Sequence, residues 1–193
     1  MIGYLILAVV CGILVKMVDY LEDDSKRKHP IKWVLAFSYG IIIGYLISQA
    51  PFSEIFIAAA LAQIIMRKVD TATHKFGYLV MLFSLAYFGL PYLAFGAFIV
   101  FLVFASIDEL DGLIFWNKPE WVQEMRPFLI LSSVPFLFFG NWSYFAGILC
   151  FDAGYLTVKK ITESVMNKNT VINAKKGQTR KKSGKRRSKR KRL

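Results

Sequence analysis

Apolar residues in this chain come in unbroken runs, not in the one-sided stripes of helices that face water. Seven such runs can be marked: 2–18, 31–49, 52–69, 76–90, 91–107, 127–140 and 142–158. Several are apolar all round, as expected of helices surrounded by lipid. A membrane span needs about 20 apolar residues, and several of the runs are shorter than that. The pattern predicts an all-α fold: a polytopic transmembrane helical bundle of about seven helices. Gly89-Leu90-Pro91 reads as a tight turn with Pro91 at a helix start, and Gly140-Asn141-Trp142 as a second short turn. Pro135 interrupts the sixth run, which makes it the weakest helix of the set.

Polar residues between the runs give the orientation. Lys26, Arg27, Lys28 and Lys32 follow the first run, and Arg67, Lys68 and Lys75 the third. Lys118 and Arg126 follow the fifth, and Lys159 and Lys160 the seventh. The opposite turns carry no Lys or Arg. The positive-inside rule then puts the N-terminus outside and the C-terminus in the cytoplasm. Met1-Ile2-Gly3-Tyr4 lacks a basic n-region, and no small-residue cleavage site follows, so the first run is expected to be a retained helix.

Composition supports this picture. Hydrophobic residues make up 55% of the chain, above the about 45–50% of an ordinary soluble domain. The net charge of +12 comes from the end of the chain. Residues 175–193 hold 12 Lys and Arg and no acid, which leaves 13 basic against 13 acidic residues elsewhere. A division follows: a transmembrane helical domain over 1–160 and a basic cytoplasmic tail over 161–193, expected to be largely disordered. The tail suits anionic lipid headgroups, or RNA and the ribosome through counterion release. Cys11 and Cys150 lie inside apolar runs and read as small hydrophobes.

The candidate chemistry is acidic and sits at the predicted cytoplasmic ends of the runs. Asp19 and Asp23 are four apart, Asp70 and His74 four apart, and Asp108 and Asp111 three apart. On helices these spacings put each pair on one face. Converging carboxylates suit Mg²⁺, Mn²⁺ or Ca²⁺, and a histidine tilts the choice toward Mn²⁺ or Zn²⁺; Mg²⁺ or Mn²⁺ is the expected ion. The plainer alternative is a set of solvated or paired interface charges. Asp152 stands inside the seventh run and is expected to face the bundle interior, as a catalytic group or paired with Lys159 or a tyrosine. Lys26, Arg27 and Lys28 are candidates for holding an anionic headgroup. Gly40 and Gly44 form a small-residue pattern that allows close helix packing, within the chain or in a homo-oligomer.

Asp108-Glu109-Leu110-Asp111-Gly112 resembles the start of the CDP-alcohol phosphotransferase motif, in which aspartates at membrane-helix ends hold metal. The continuation departs from that family, with Phe115-Trp116 in place of its later residues. Asp19 to Asp23, with Arg27 and Pro30, resembles the first acidic motif of UbiA-type prenyltransferases, with Val18 where that family has Asn. Neither family is assigned. Three functions remain as expectations: a metal-dependent enzyme acting on a phosphorylated lipid or isoprenoid, a cation or proton-coupled transporter, and a membrane-biogenesis protein that tethers ribosomes by its tail.

Overall fold

The computed structural model describes residues 1–23, 29–50, 52–110 and 125–164. The side chain of Asp23, together with Lys26, Arg27, Lys28, Asp111 and the tail from residue 165, lies outside the described residues. So do the expectations placed on them. The fold is all-α, with seven helices and no strand among the described residues. They are α1 Ile2–Asp23, α2 Ile31–Ile47, α3 Ser53–Ile65, α4 Ala72–Phe88, α5 Phe95–Glu109, α6 Pro127–Leu137 and α7, residues 142–158. The chain divides into a unit Met1–Val158 and a second unit Lys159–Leu193. In the second, residues 159–164 are helical, and Lys159 Nζ lies 3.6 Å from Glu163 Oε1.

By length and composition α1 alone among the described helices is clearly able to cross a membrane, over Ile2–Glu22. At 1.5 Å per residue α2 and α4 are about 26 Å long and α6 about 17 Å.

The ends of the helices differ from the expected turns where side chains intervene. α5 begins at Phe95, not Pro91, because the Ala94 N–H donates to the buried Glu54 carboxylate at 2.9 Å. α6 starts with Pro127 in its first turn, where a missing N–H costs nothing, and carries Pro135 in its last. α3 ends with Arg67 in the left-handed conformation, φ 57°. The N–H of Lys68 donates to the Gln63 carbonyl and that of Arg67 to the Ile64 carbonyl, closing a Schellman motif. Glycine usually takes this position, since a side chain there costs about 1–2 kcal/mol.

Glycine sets how closely the helices pack. A methyl group on Gly12 of α1 would collide with the Phe151 carbonyl oxygen of α7, and one on Gly154 with that of Val9. Gly40 and Gly44 of α2 lie against Gly77, Val80, Met81 and Ser84 of α4. The small-residue face of α2 is therefore used inside the chain. At the core, Phe101 stacks on Phe136 and Tyr144 at 5.0 Å each, and Phe56 meets Phe151 at 6.2 Å. The outside is apolar as well: Leu82 is 56% exposed, Phe83 68% and Phe95 71%.

Replacing Gly12 or Gly154 by Ala should lower stability by about 1–3 kcal/mol, the usual cost of overpacking. Gly96→Ala, with nothing within 4 Å of the added carbon, should be neutral or slightly stabilising. Denaturation midpoints in detergent check both.

Candidate functional site

The Thr71 side chain caps α4 by accepting from the His74 N–H at 3.3 Å. This fixes His74 in the first turn of α4, close to the last turns of α1. His74 Nε2 lies 2.9 Å from Asp19 Oδ1. The other oxygen of Asp19 accepts from the Tyr155 hydroxyl of α7 at 2.8 Å, and Tyr155 accepts from Lys16 at 3.2 Å. On its far side His74 meets Tyr39 of α2, whose hydroxyl is 3.1 Å from Nδ1. Tyr39 reaches that place across Gly77, where any larger residue would strike its ring. One hydrogen-bonded chain thus links α1, α2, α4 and α7.

This chain forms part of the wall of a cavity of about 300 Å³. The cavity extends from the helix ends at Asp19 and Asp108 to Phe56 and Ile148 in mid-bundle. Its inner wall is apolar, with Val15, Ile43, Phe56 and Met81. Its outer wall is charged, with Asp19, Asp108 and Glu109 against Lys68 and Arg126.

Arg126 and Asp152 form a buried pair. Nη1 of Arg126 donates to Oδ1 at 2.8 Å, and its backbone N–H donates to Oδ2 at 3.3 Å. Asp152 is 1% exposed. Burial works against the Arg126 cation, but Asp152 and then Glu109 more than offset this and push its pKa above the usual arginine range. The expected partners of Asp152, Lys159 or a tyrosine, are replaced by this arginine. Asp152 does not line the cavity; it holds a residue that does.

Asp108 lies just beyond the apolar run of α5 and accepts from the N–H groups of Phe128 at 3.0 Å and Leu129 at 2.7 Å. It thereby supplies α6 with acceptors at its open N-terminal end. Burial pushes its carboxyl up to about 6, against the opposing pull of the two N–H groups and Arg126.

The expected metal ligands are therefore only partly assembled. Asp19 and His74 meet, and Asp108 lines the same cavity with both oxygens already engaged. Asp70 precedes the cap of α4, is not helical and is exposed, so it does not share a helix face with His74. Among the described residues no three His, Cys, Asp or Glu side chains group as metal ligands. Asp19 and His74 are the two side chains here that could hold an ion, and they now meet each other at 2.9 Å. The sequence pattern did not single out Arg126, Glu54, Tyr39 or Tyr155. Arg126 had counted only as a loop charge. No family model, curated protein or solved structure matches the chain.

Asp152→Asn should destabilise the fold by about 3–5 kcal/mol by stranding a buried guanidinium. Adding Arg126→Met should recover most of the loss, as read from denaturation midpoints of the two single variants and the double. A pH series tests Asp108. Its folded-state pKa is above the unfolded value, so its contribution is present below about pH 4 and fades as pH rises through about 6. Asp108→Asn should remove that decline.

Proposed function

We propose that the chain is a multi-pass membrane protein, N-terminus outside and C-terminus cytoplasmic, whose cavity acts on a phosphorylated lipid or isoprenoid carried with a divalent cation. The observation that carries this reading is the amphipathic wall. A charged outer half and an apolar inner half match a phosphate head and the first carbons of its chain. The exposed large apolar side chains on α4 and on α5, such as Leu82, Phe83, Phe95 and Val103, support a lipid surrounding.

The residues divide the work by charge. Lys68 and Arg126 face phosphate oxygens; Arg126 is held in place by Asp152. Asp19 and His74 would hold Mg²⁺ or Mn²⁺, and such an ion would offset the charge on phosphate oxygens as the bond to them breaks. Tyr39 and Tyr155 hold the His74 ring and the Asp19 carboxylate from opposite sides, and an arriving ion would take the place of the bond between Asp19 Oδ1 and His74 Nε2.

Geranylgeranyl diphosphate with Mg²⁺ is a suitable probe. It should raise the melting midpoint of the purified protein in detergent, because a ligand at about 100 times its Kd adds about 2.7 kcal/mol. Asp19→Asn and His74→Ala should each weaken binding at least about tenfold, which removes about 1.4 kcal/mol, or half, of that stabilisation. Asp70→Ala should leave it intact. The reading fails if neither this probe nor phosphatidate stabilises the protein with Mg²⁺, or if Asp19→Asn binds like the parent.

A further inference from the structure

A second depression lies on the outside of the bundle, between the end of α3 and the start of α4. Its floor and rim include Ile64, Leu79 and Leu82, which are 46%, 50% and 56% exposed. Arg67 and Lys75 stand at its edge, both exposed. It shares two wall residues, Val69 and Tyr78, with the internal cavity. The Tyr78 hydroxyl donates to Gln63 Oε1 at 2.6 Å, so this shared wall side chain is bonded to α3.

We propose that this groove is the lateral portal through which a single-chain or two-chain anionic phospholipid-type ligand enters the cavity from the membrane, a proposal that rests on the reading above. The chain lies along Ile64, Leu79 and Leu82, the phosphate pairs with Arg67 and Lys75, and rotation of Tyr78 away from Gln63 opens the way inward.

Three observations favour this occupant. The apolar floor takes a hydrocarbon chain and offers a polar ligand no bonds. The two cations sit where the apolar floor ends, which is where a lipid phosphate would lie. Arg67 also occupies a left-handed backbone position at which glycine would be relaxed, so the chain keeps a guanidinium there against local conformational preference.

The test uses the full chain in phosphatidylcholine vesicles. A tryptophan placed by Leu82→Trp reports chains in the groove through quenching by bromine. Brominated-chain phosphatidate should quench the added fluorescence with a preference over brominated phosphatidylcholine of at least about fivefold. That corresponds to about 1 kcal/mol for one basic residue at the surface. Arg67→Gly with Lys75→Gln should abolish the preference. Arg67→Gly alone should reduce it while leaving the melting midpoint unchanged or higher, since glycine relaxes the backbone there, and this separates lost binding from lost fold. Equal quenching by the two lipids, or a preference that survives both substitutions, overturns the proposal. Failure of the cavity reading is seen separately. Inorganic diphosphate with Mg²⁺ needs no portal, so its binding to the parent chain and to the Arg67→Gly, Lys75→Gln variant reports on the cavity alone. Asp19→Asn should leave groove quenching as it was.

Discussion

A carboxylate withdrawn from water must find donors, and in this bundle four carboxylates find theirs on another helix or its flanking residues. Asp19 of α1 takes His74 from α4 and Tyr155 from α7. Glu54 of α3 takes the backbone before α5 and a tyrosine of α7. Asp108 of α5 takes the open end of α6, and Asp152 of α7 takes Arg126 just before it. In an apolar bundle the hydrophobic effect cannot tell one lipid-like helix face from another, so directional bonds carry more of the specificity. These acids therefore fix which helix lies beside which. The cavity exists because three of the four gather at one end.

Close approach by small residues makes those bonds reachable. α1 and α7 touch at Gly12 and Gly154, which brings Tyr155, next to Gly154, within hydrogen-bond range of Asp19, about two turns beyond Gly12. Gly77 performs the same service for Tyr39 and His74. Packing and site chemistry are coupled here. A methyl group added at any of these glycines would pull apart a hydrogen bond as well as a helix contact.

The helices were legible in the sequence because long apolar runs have few other ways to satisfy their backbone. The limits of the helices were less so. Pro91 looked like a helix start, and only the burial of Glu54, a long-range fact, moves that start to Phe95. Asp70 and His74 looked like one helical face because their spacing is four. Thr71, a good cap followed three residues later by His74, was the local signal that the helix begins between them. Asp152 was recognisable as a buried acid in need of a partner. Its arginine lies 26 positions earlier in the chain, in a loop where positive charge had a sufficient topological explanation. Tyr39 and Tyr155 gave no signal at all, since a tyrosine's role depends on what its hydroxyl meets.

The charge in the cavity wall limits what the site can bind. Asp19, Asp108 and Glu109 face Lys68 and Arg126, and Arg126 is already neutralised by Asp152 behind it. Above pH 6 the wall therefore has surplus negative charge. A bare phosphate or diphosphate would meet repulsion in a region of low dielectric, where unlike screened surface charges it is felt strongly. On the proposed reading, the same anion accompanied by a divalent cation would meet attraction from both sides, its oxygens at Lys68 and Arg126 and its metal at Asp19 and His74. The two cations alone would make a poor anion site, and the acids alone an incomplete metal site. A ligand with both signs of charge at one end and hydrocarbon at the other, as proposed, would complement both halves of the wall at once.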